Sequence, residues 1–194
     1  MKQRIRTFIA VETDAAIRKA AKDLIDQLRQ AGADVKWVDP ENLHLTVKFL
    51  GDVDADKIAQ VCGAVEKAVA DLAPFPLEIR GAGAFPSVRR PQTIWLGAGE
   101  GDDRMAELAE RLETVLEPFR FRRETRRYRT HLTLGRLRRE GATAGIGDLG
   151  RLVEQLSDYE AGRMPVEELV VFSSELTRAG PVYEAMGRAA LDGQ

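Results

Sequence analysis

The sequence predicts an α+β fold of two similar halves. Short segments typical of strands alternate with longer segments whose apolar residues recur every three or four positions, typical of helices. A His-Leu-Thr-aliphatic sequence occurs once in each half, in a strand that follows a helix. We therefore expect a pseudo-twofold duplication of a βαβ-type unit, in which two largely antiparallel sheets line a central cleft and the helices lie outside. Residues 1–194 are expected to form a single bilobal domain.

The first half begins with an expected strand over residues 4–11 and a helix over 14–31. A second strand over 43–50 closes at Gly51, and a second helix begins after Asp54, a plausible N-cap. The residues that predict the buried helix faces are Ile17, Ala21, Leu24 and Leu28 in the first helix, and Ile58, Val61, Cys62, Val65, Val69 and Leu72 in the second.

The second half begins between residues 74 and 101, where prolines and glycines are frequent. Its expected elements are strands over 77–80 and 93–96 with a Gly- and Pro-rich loop between them, a helix capped by Asp102, a strand over 130–137, a helix after Gly147, and strands over 166–172 and 182–186.

Composition sets broad limits on the class of protein. The chain has 194 residues, of which 44% are hydrophobic and 31% charged, as in an ordinary globular protein. No apolar run is long enough to cross a bilayer, so we expect no membrane association. We also expect a cytoplasmic location and a monomer. The single cysteine, Cys62, excludes an intrachain disulfide and a thiol-rich metal site.

Charge is unevenly distributed along the chain. The net charge is −2, yet nine arginines and one acidic residue, Glu124, lie between positions 120 and 139. Such a run beside the second histidine is a candidate contact surface for phosphate or nucleic acid. The alternative is a solvated, arginine-rich surface without a ligand.

The two histidine motifs are His44-Leu45-Thr46-Val47 and His131-Leu132-Thr133-Leu134, and they contain every histidine of the chain. Successive side chains of a strand point to opposite faces, so each histidine shares a face with its threonine, about 7 Å away. The aliphatic residues, with Phe49 after the first motif, share the other face and are expected to pack against helices.

Two imidazoles and two hydroxyls facing one cleft suit attack on a phosphodiester. One neutral imidazole can accept a proton from the nucleophile, while the other, as imidazolium, donates a proton to the leaving oxygen. Threonine hydroxyls can donate hydrogen bonds to phosphoryl oxygens. No acidic residue lies on the histidine face of either strand, so the sequence predicts neither a metal nor another cofactor.

These motifs resemble those of the two-histidine (2H) phosphoesterase superfamily. Residues 37–51 (WVDPENLHLTVKFLG), 83–87 and 131–136 are similar to segments of the bacterial and archaeal RNA 2′,3′-cyclic phosphodiesterases, formerly called 2′-5′ RNA ligases. Residues 6–11 also resemble the first strand of that family. The similarity runs from about residue 4 to the final strand.

The resemblance implies hydrolysis of RNA 2′,3′-cyclic phosphate ends to 2′-phosphomonoesters, and it leaves room for reversible 2′-5′ ligation. It implies that His44 donates a proton to the leaving 3′ oxygen, that His131 accepts one from water, and that Thr46, Thr133 and Arg136 bind phosphate. The expected partner is an RNA with a 2′,3′-cyclic phosphate or a 2′-5′ linkage, for instance one derived from tRNA.

Two small departures from the family pattern lie outside this chemistry, namely Thr130 where proline is frequent and Gly135 where some members have alanine. Two alternatives stay open: a cyclic phosphodiesterase acting on small nucleotides such as ADP-ribose 1″,2″-cyclic phosphate, and a non-catalytic RNA-binding module. Candidates for stacking on a base are Trp37, Phe8 and Tyr128, each of which could equally be a packing residue.

Overall fold

A computed structural model describes residues 3–138, 144–178 and 180–193, and within these ranges it contains nine strands and four α-helices. The strands are Arg4–Glu12 (β1), Val35–Trp37 (β2), His44–Asp54 (β3), Phe75–Ser87 (β4), Arg90–Ala98 (β5), Leu132–Leu137 (β6), Glu160–Val166 (β7), Glu168–Leu176 (β8) and Pro181–Ala190 (β9). The helices are Ala15–Leu28 (α1), Ile58–Val69 (α2), Asp102–Val115 (α3) and Ile146–Gln155 (α4).

The strands are antiparallel throughout and follow the order β7-β4-β5-β6-β3-β1-β8-β9, with the short β2 paired to β6. The α+β class and the antiparallel pairing are therefore confirmed. The expectation of two sheets needs correction, because the halves are joined into one sheet through the pair Leu45–Leu132. Each motif strand would otherwise leave an unpaired edge at the junction, and pairing the two edges satisfies both.

The two halves of the sheet have equivalent surroundings. Strand β3 pairs with β1 in one half, and β6 pairs with β5 in the other. Helices α2 and α3 contact each other and pack on the β3–β1–β8–β9 half, whereas α1 and α4 pack on the β7–β4–β5 half. The helix after β1 and the helix after β5 thus both cross to the opposite half, which is the pseudo-twofold relation that the repeated motifs predict.

Helix α1 forms where the apolar periodicity predicts it. The Asp14 carboxylate accepts a hydrogen bond from the Ile17 amide at 2.8 Å, which caps the first turn. The helix continues through a short 3-10 turn to Gly32, whose φ of 68° is readily adopted by glycine. Its four predicted core residues and the apolar faces of the other helices lie in one hydrophobic core that includes both halves.

Several strand boundaries differ from the prediction. The expected Gly- and Pro-rich loop after residue 80 is part of a long hairpin, since β4 pairs with β5 as far as Ser87, whereas its pairing with β7 ends at Arg80. Gly51 lies within β3, and β2 was not predicted. The expected strand over 166–172 is divided between β7 and β8, which lie in different halves of the sheet. Glycines and prolines favour turns locally, but pairing with a neighbouring strand keeps these residues extended.

Phe49 is a correction with consequences for the site. Ala10 pairs with Thr46 and Ile9 with Lys48, so Val47 forms an irregularity that reverses the alternation of side chains beyond it. Phe49 is therefore 61% exposed, and Lys48 is buried in its place. The prediction that Phe49 packs under the helices is wrong.

Candidate active site

The polar residues of both motifs lie on one face of the sheet. The antiparallel pair Leu45–Leu132 places His44 across from Thr133 and Thr46 across from His131. Side chains directly opposite each other have Cβ atoms about 5 Å apart. Both leucines are completely buried on the other face. The sheet thus brings two imidazoles and two hydroxyls into one square group over a rigid core.

Each imidazole is oriented by the backbone two residues before it. His44 Nδ1 lies 2.8 Å from the Asn42 carbonyl oxygen, and His131 Nδ1 lies 2.8 Å from the Arg129 carbonyl oxygen. A carbonyl can only accept, so in both rings Nδ1 carries the hydrogen and donates it. In each ring Nε2 is therefore the nitrogen that gains or loses a proton.

Aromatic side chains hold both rings in place. The His44 ring lies 4.8 Å from the ring of Phe8 and 5.2 Å from that of Tyr183, to which it is perpendicular. The His131 ring stands perpendicular to Phe85 at 5.2 Å. Contacts of this kind restrict rotation of the imidazole and exclude water from part of its surface.

Burial lowers the pKa of both histidines below the ordinary value. For His44 the hydrogen bond to the Asn42 carbonyl opposes this shift, and the charge of His131 adds to it. For His131 the guanidinium groups of Arg136 and Arg129 add to the lowering, which the backbone hydrogen bond opposes. The coupling between the rings disfavours two protonated imidazoles at once, so the pair favours one proton over two.

A cleft of about 730 Å³ opens beside His44. Arg136 lines it and donates from Nη1 to Thr93 Oγ1 at 3.2 Å, which directs the guanidinium from β6 towards β5. The lining side chains from the motifs and from both halves of the sheet include Arg6, Lys36, Trp37, His44, Thr46, Phe49, Thr133, Arg136 and Tyr183. This combination of cations, hydroxyls and rings suits a phosphorylated nucleoside.

The three stacking candidates have different surroundings. Trp37 is half-buried and lines the cleft, and its ring lies so close to Gly135 that a Cβ there would be 2.7 Å from the indole. Phe8 is 3% exposed and supports His44. Tyr128 does not line the cleft, and its hydroxyl donates to the Thr46 carbonyl at 3.0 Å. Tyr128 instead orients the first motif.

Four further residues at the site were not predicted as functional: Arg6, Phe49, Phe85 and Tyr183. Phe49 and Tyr183 line the cleft with Arg6, and Phe85 contacts His131. Their positions depend on the strand irregularity and on pairings between distant segments, which leave no local signal. Arg6, Phe49 and Phe85 stood in segments that resemble the family, and that resemblance was the one signal that could have pointed to them.

The arginine-rich run forms an exposed connection from residue 120 to β6, and its last member, Arg139, lies outside the described residues. Arg129 places its guanidinium 5.4 Å from the ring centres of both Phe85 and Trp95. Glu113 of α3 accepts a hydrogen bond from the Glu124 amide at 3.4 Å and contacts the Lys48 ammonium of β3. Glu113 thus links the connection to β3, the strand of the first motif.

The described part of the chain contains no group of three or more His, Cys, Asp or Glu side chains placed to hold a metal ion. None of its helices combines the length and apolar character needed to cross a membrane.

This fold, with two paired His-x-Thr strands at the centre of one antiparallel sheet, defines a bilobal protein of the two-histidine phosphoesterase class. The family model described as LigT like Phosphoesterase matches the chain twice, over residues 11–95 and 96–183. The chain therefore belongs to the LigT-like phosphoesterase family. The two matches meet within the segment where the sequence predicts the join between halves.

Known proteins are similar over almost the whole length. A protein of Methanothermobacter thermautotrophicus named RNA 2′,3′-cyclic phosphodiesterase is 38% identical over 94% of this chain and 97% of its own. One of Thermotoga maritima with the same name is 31% identical over 97% of each chain.

Solved structures share the fold. The crystal structure of TT0787 of Thermus thermophilus superposes with a TM-score of 0.81 at 26% identity, covering 98% of this chain and all of its own. The structure of E. coli LigT complexed with 3′-AMP superposes with a TM-score of 0.75 at 24% identity, covering 97% of this chain and 99% of the other.

Proposed function

We propose that this protein hydrolyses RNA 2′,3′-cyclic phosphate ends to 2′-phosphomonoesters, as one bilobal domain, without a metal or another cofactor. The observation that carries the proposal is the square group of two imidazoles and two threonine hydroxyls on one sheet face. The names of the relatives from Methanothermobacter and Thermotoga support the choice of substrate.

The two histidines take opposite roles. Arg129 and Arg136 lower the pKa of His131, and the charge of His131 lowers the pKa of His44, so the pair favours a single proton. We assign His44 as the acid and His131 as the base, as the resemblance to the RNA 2′,3′-cyclic phosphodiesterases implies. His131 Nε2 accepts a proton from water as the oxygen attacks phosphorus, and His44 Nε2 donates its proton to the 3′ oxygen as the P–O3′ bond breaks.

Thr46, Thr133 and Arg136 bind the phosphate. The hydroxyls stand across the strands from the imidazoles, and the Arg136 side chain lines the same cleft as both threonines. In the transition state, negative charge accumulates on the non-bridging oxygens. Hydrogen-bond donors that the sheet already holds in position stabilise this charge.

An alcohol can replace water at the same position. If the nucleophile is the 5′-hydroxyl of a second RNA strand, the product is a 2′-5′ phosphodiester, and the reverse reaction regenerates the cyclic phosphate. The partner is thus an RNA with a 2′,3′-cyclic phosphate or a 2′-5′ linkage, tRNA fragments included, and the protein acts as a monomer.

The test is a time course with an oligoribonucleotide ending in a 2′,3′-cyclic phosphate, in the presence of EDTA. Conversion to the 2′-phosphate is expected, and His44→Ala and His131→Ala should each lower kcat/KM by about 100-fold or more. Arg163→Gln, an exposed arginine on β7 paired with Glu100, is the control and should leave kcat/KM within a factor of about two.

Three results would contradict the proposal. The first is no conversion by the wild type, and the second is full activity of either histidine variant with the fold retained by circular dichroism. The third is a clear preference for ADP-ribose 1″,2″-cyclic phosphate over the oligonucleotide, which would assign the site to small nucleotides.

A further inference from the structure

A second, smaller pocket of about 220 Å³ lies on the other side of the second motif from the cleft. Arg129 and Thr130 line the small pocket, whereas Thr133 and Arg136 line the cleft. In the sequence, His131 therefore lies between residues that line the small pocket and residues that line the cleft. Nothing in the proposed hydrolysis of a cyclic phosphate uses the small pocket.

The floor of the small pocket is the indole of Trp95, which lies flat on the sheet. A Cβ at Gly83 would collide with the indole, and one at Gly97 would lie 3.1 Å from it, so only glycines leave room for the ring. Trp95 pairs with Thr133 across β5 and β6, which places the indole directly beside the motif. The Arg129 guanidinium covers it at 5.4 Å from the ring centre.

One buried polar group at this pocket has no hydrogen-bond partner among the described residues. The buried indole Nε1 of Trp95 makes no hydrogen bond within the described residues, and Trp95 lines the small pocket. The Thr130 hydroxyl, on a residue only 5% exposed, has the Tyr128 hydroxyl as a partner. Buried donors are normally satisfied, so this N–H favours a ligand with an acceptor oxygen.

Charged groups in the pocket define that ligand further. Arg80 reaches Glu78 and Glu160 only at 3.8 and 4.0 Å, so its guanidinium keeps donors for another acceptor. Asp102 also lines the pocket and suits donors such as ribose hydroxyls. A carboxylate beside two arginines does not match bare phosphate, whereas a nucleoside carries both kinds of group and a base that can lie against an indole.

The positions of the nucleophile and the leaving oxygen decide which nucleoside of the substrate would occupy the small pocket. In an in-line displacement, the nucleophile and the leaving oxygen lie on opposite sides of phosphorus. With His44 at the 3′ oxygen, the nucleoside that carries the cyclic phosphate lies in the cleft, and the nucleophile enters beside His131. We propose that the small pocket binds the nucleoside whose 5′-hydroxyl is the nucleophile in 2′-5′ ligation, which is the leaving nucleoside in the reverse reaction.

This inference rests on the proposed function and adds a second substrate subsite to it. In the reverse reaction, His44 Nε2 accepts the proton of the free 3′-hydroxyl as its oxygen attacks phosphorus. The P–O5′ bond breaks, and His131, protonated at Nε2, donates its proton to the departing 5′ oxygen. The products are a 2′,3′-cyclic phosphate and a nucleoside with a 5′-hydroxyl.

Two matched substrates test the subsite. One is an oligoribonucleotide ending in a 2′,3′-cyclic phosphate, and the other is the same oligonucleotide extended by one adenosine through a 2′-5′ phosphodiester. Arg80→Gln and Trp95→Phe, which keeps a ring but loses the N–H, should each lower kcat/KM about tenfold on the linked substrate. Both should stay within a factor of about two on the cyclic phosphate, and Arg163→Gln should affect neither.

Equal losses on both substrates, or no loss on either, would overturn the subsite. So would a wild type that hydrolyses the cyclic phosphate but does not cleave the linked substrate. A wild type inactive on the cyclic phosphate would instead overturn the proposed function itself, so the two failures are distinguishable.

Discussion

Lys48 and Glu113 form a buried ion pair directly below the first motif. Removing Glu113 should lower the free energy of unfolding more than removing Lys48. The Lys48 ammonium and the Glu113 carboxylate are in contact, and their side chains are 5% and 20% exposed. Arg123 lies 4.0 Å from the other oxygen of Glu113. The carboxylate therefore has water and a second cation within reach, whereas Glu113 is the one ionic partner of the ammonium among the described residues.

The expected loss in the free energy of unfolding follows from this difference in solvation and partners. Glu113→Leu leaves a buried ammonium without a counter-charge, which costs about 3–5 kcal/mol in the free energy of unfolding. Lys48→Met leaves a carboxylate that Arg123 and solvent can still satisfy, so the cost should be about 1–2 kcal/mol, in the range for polar groups that keep partial solvation. The double variant should lie within about 1 kcal/mol of Lys48→Met, because no unpaired charge remains.

Urea unfolding of the wild type, both single variants and the double variant gives these values as a double-mutant cycle. Lys22→Met is a matched control, since Lys22 pairs with Asp26 on the surface of α1 and its loss should cost below about 0.5 kcal/mol. If Lys48→Met proves as costly as Glu113→Leu, or the two effects simply add, the reasoning from burial is wrong.

Three other outcomes are expected. Because burial lowers the pKa of both imidazoles, kcat/KM should peak on the acid side of the ordinary histidine value of 6.5, as read from a full pH profile. Arg129→Gln removes a cation that disfavours protonation of His131, so the pKa of this base rises and the acidic limb of that profile moves to higher pH. Gly83→Ala forces a methyl group into Trp95 and should cost about 1–3 kcal/mol in urea unfolding, whereas unchanged stability would show that the indole has room to move.

The helices and most core positions followed from the sequence because their signals are local. The apolar residues of α1 predicted its buried face, and its Asp14 cap formed as the residue type favours. The shared face of His44 and Thr46 also followed, because alternation holds up to that point of β3. These features depend on neighbours within a few residues, so the chain itself specifies them.

Features that depend on contacts between distant segments could not be predicted. The Val47 irregularity, which exposes Phe49 and buries Lys48, exists only because β1 pairs with β3 in that register. Residues 81–86 have a loop-like composition, and their pairing with β5 makes them part of a strand.

By itself, the sequence determined that each half presents one imidazole and one hydroxyl on a strand backed by leucine. The tertiary structure decided that these strands lie side by side, joined at Leu45 and Leu132. It also decided that Arg129 and Arg136 lie close enough to His131 to lower its pKa, although the two motifs are equivalent in sequence. Side-chain alternation is a property of one strand, whereas pairing and electrostatic asymmetry arise only when segments far apart in the chain are brought together.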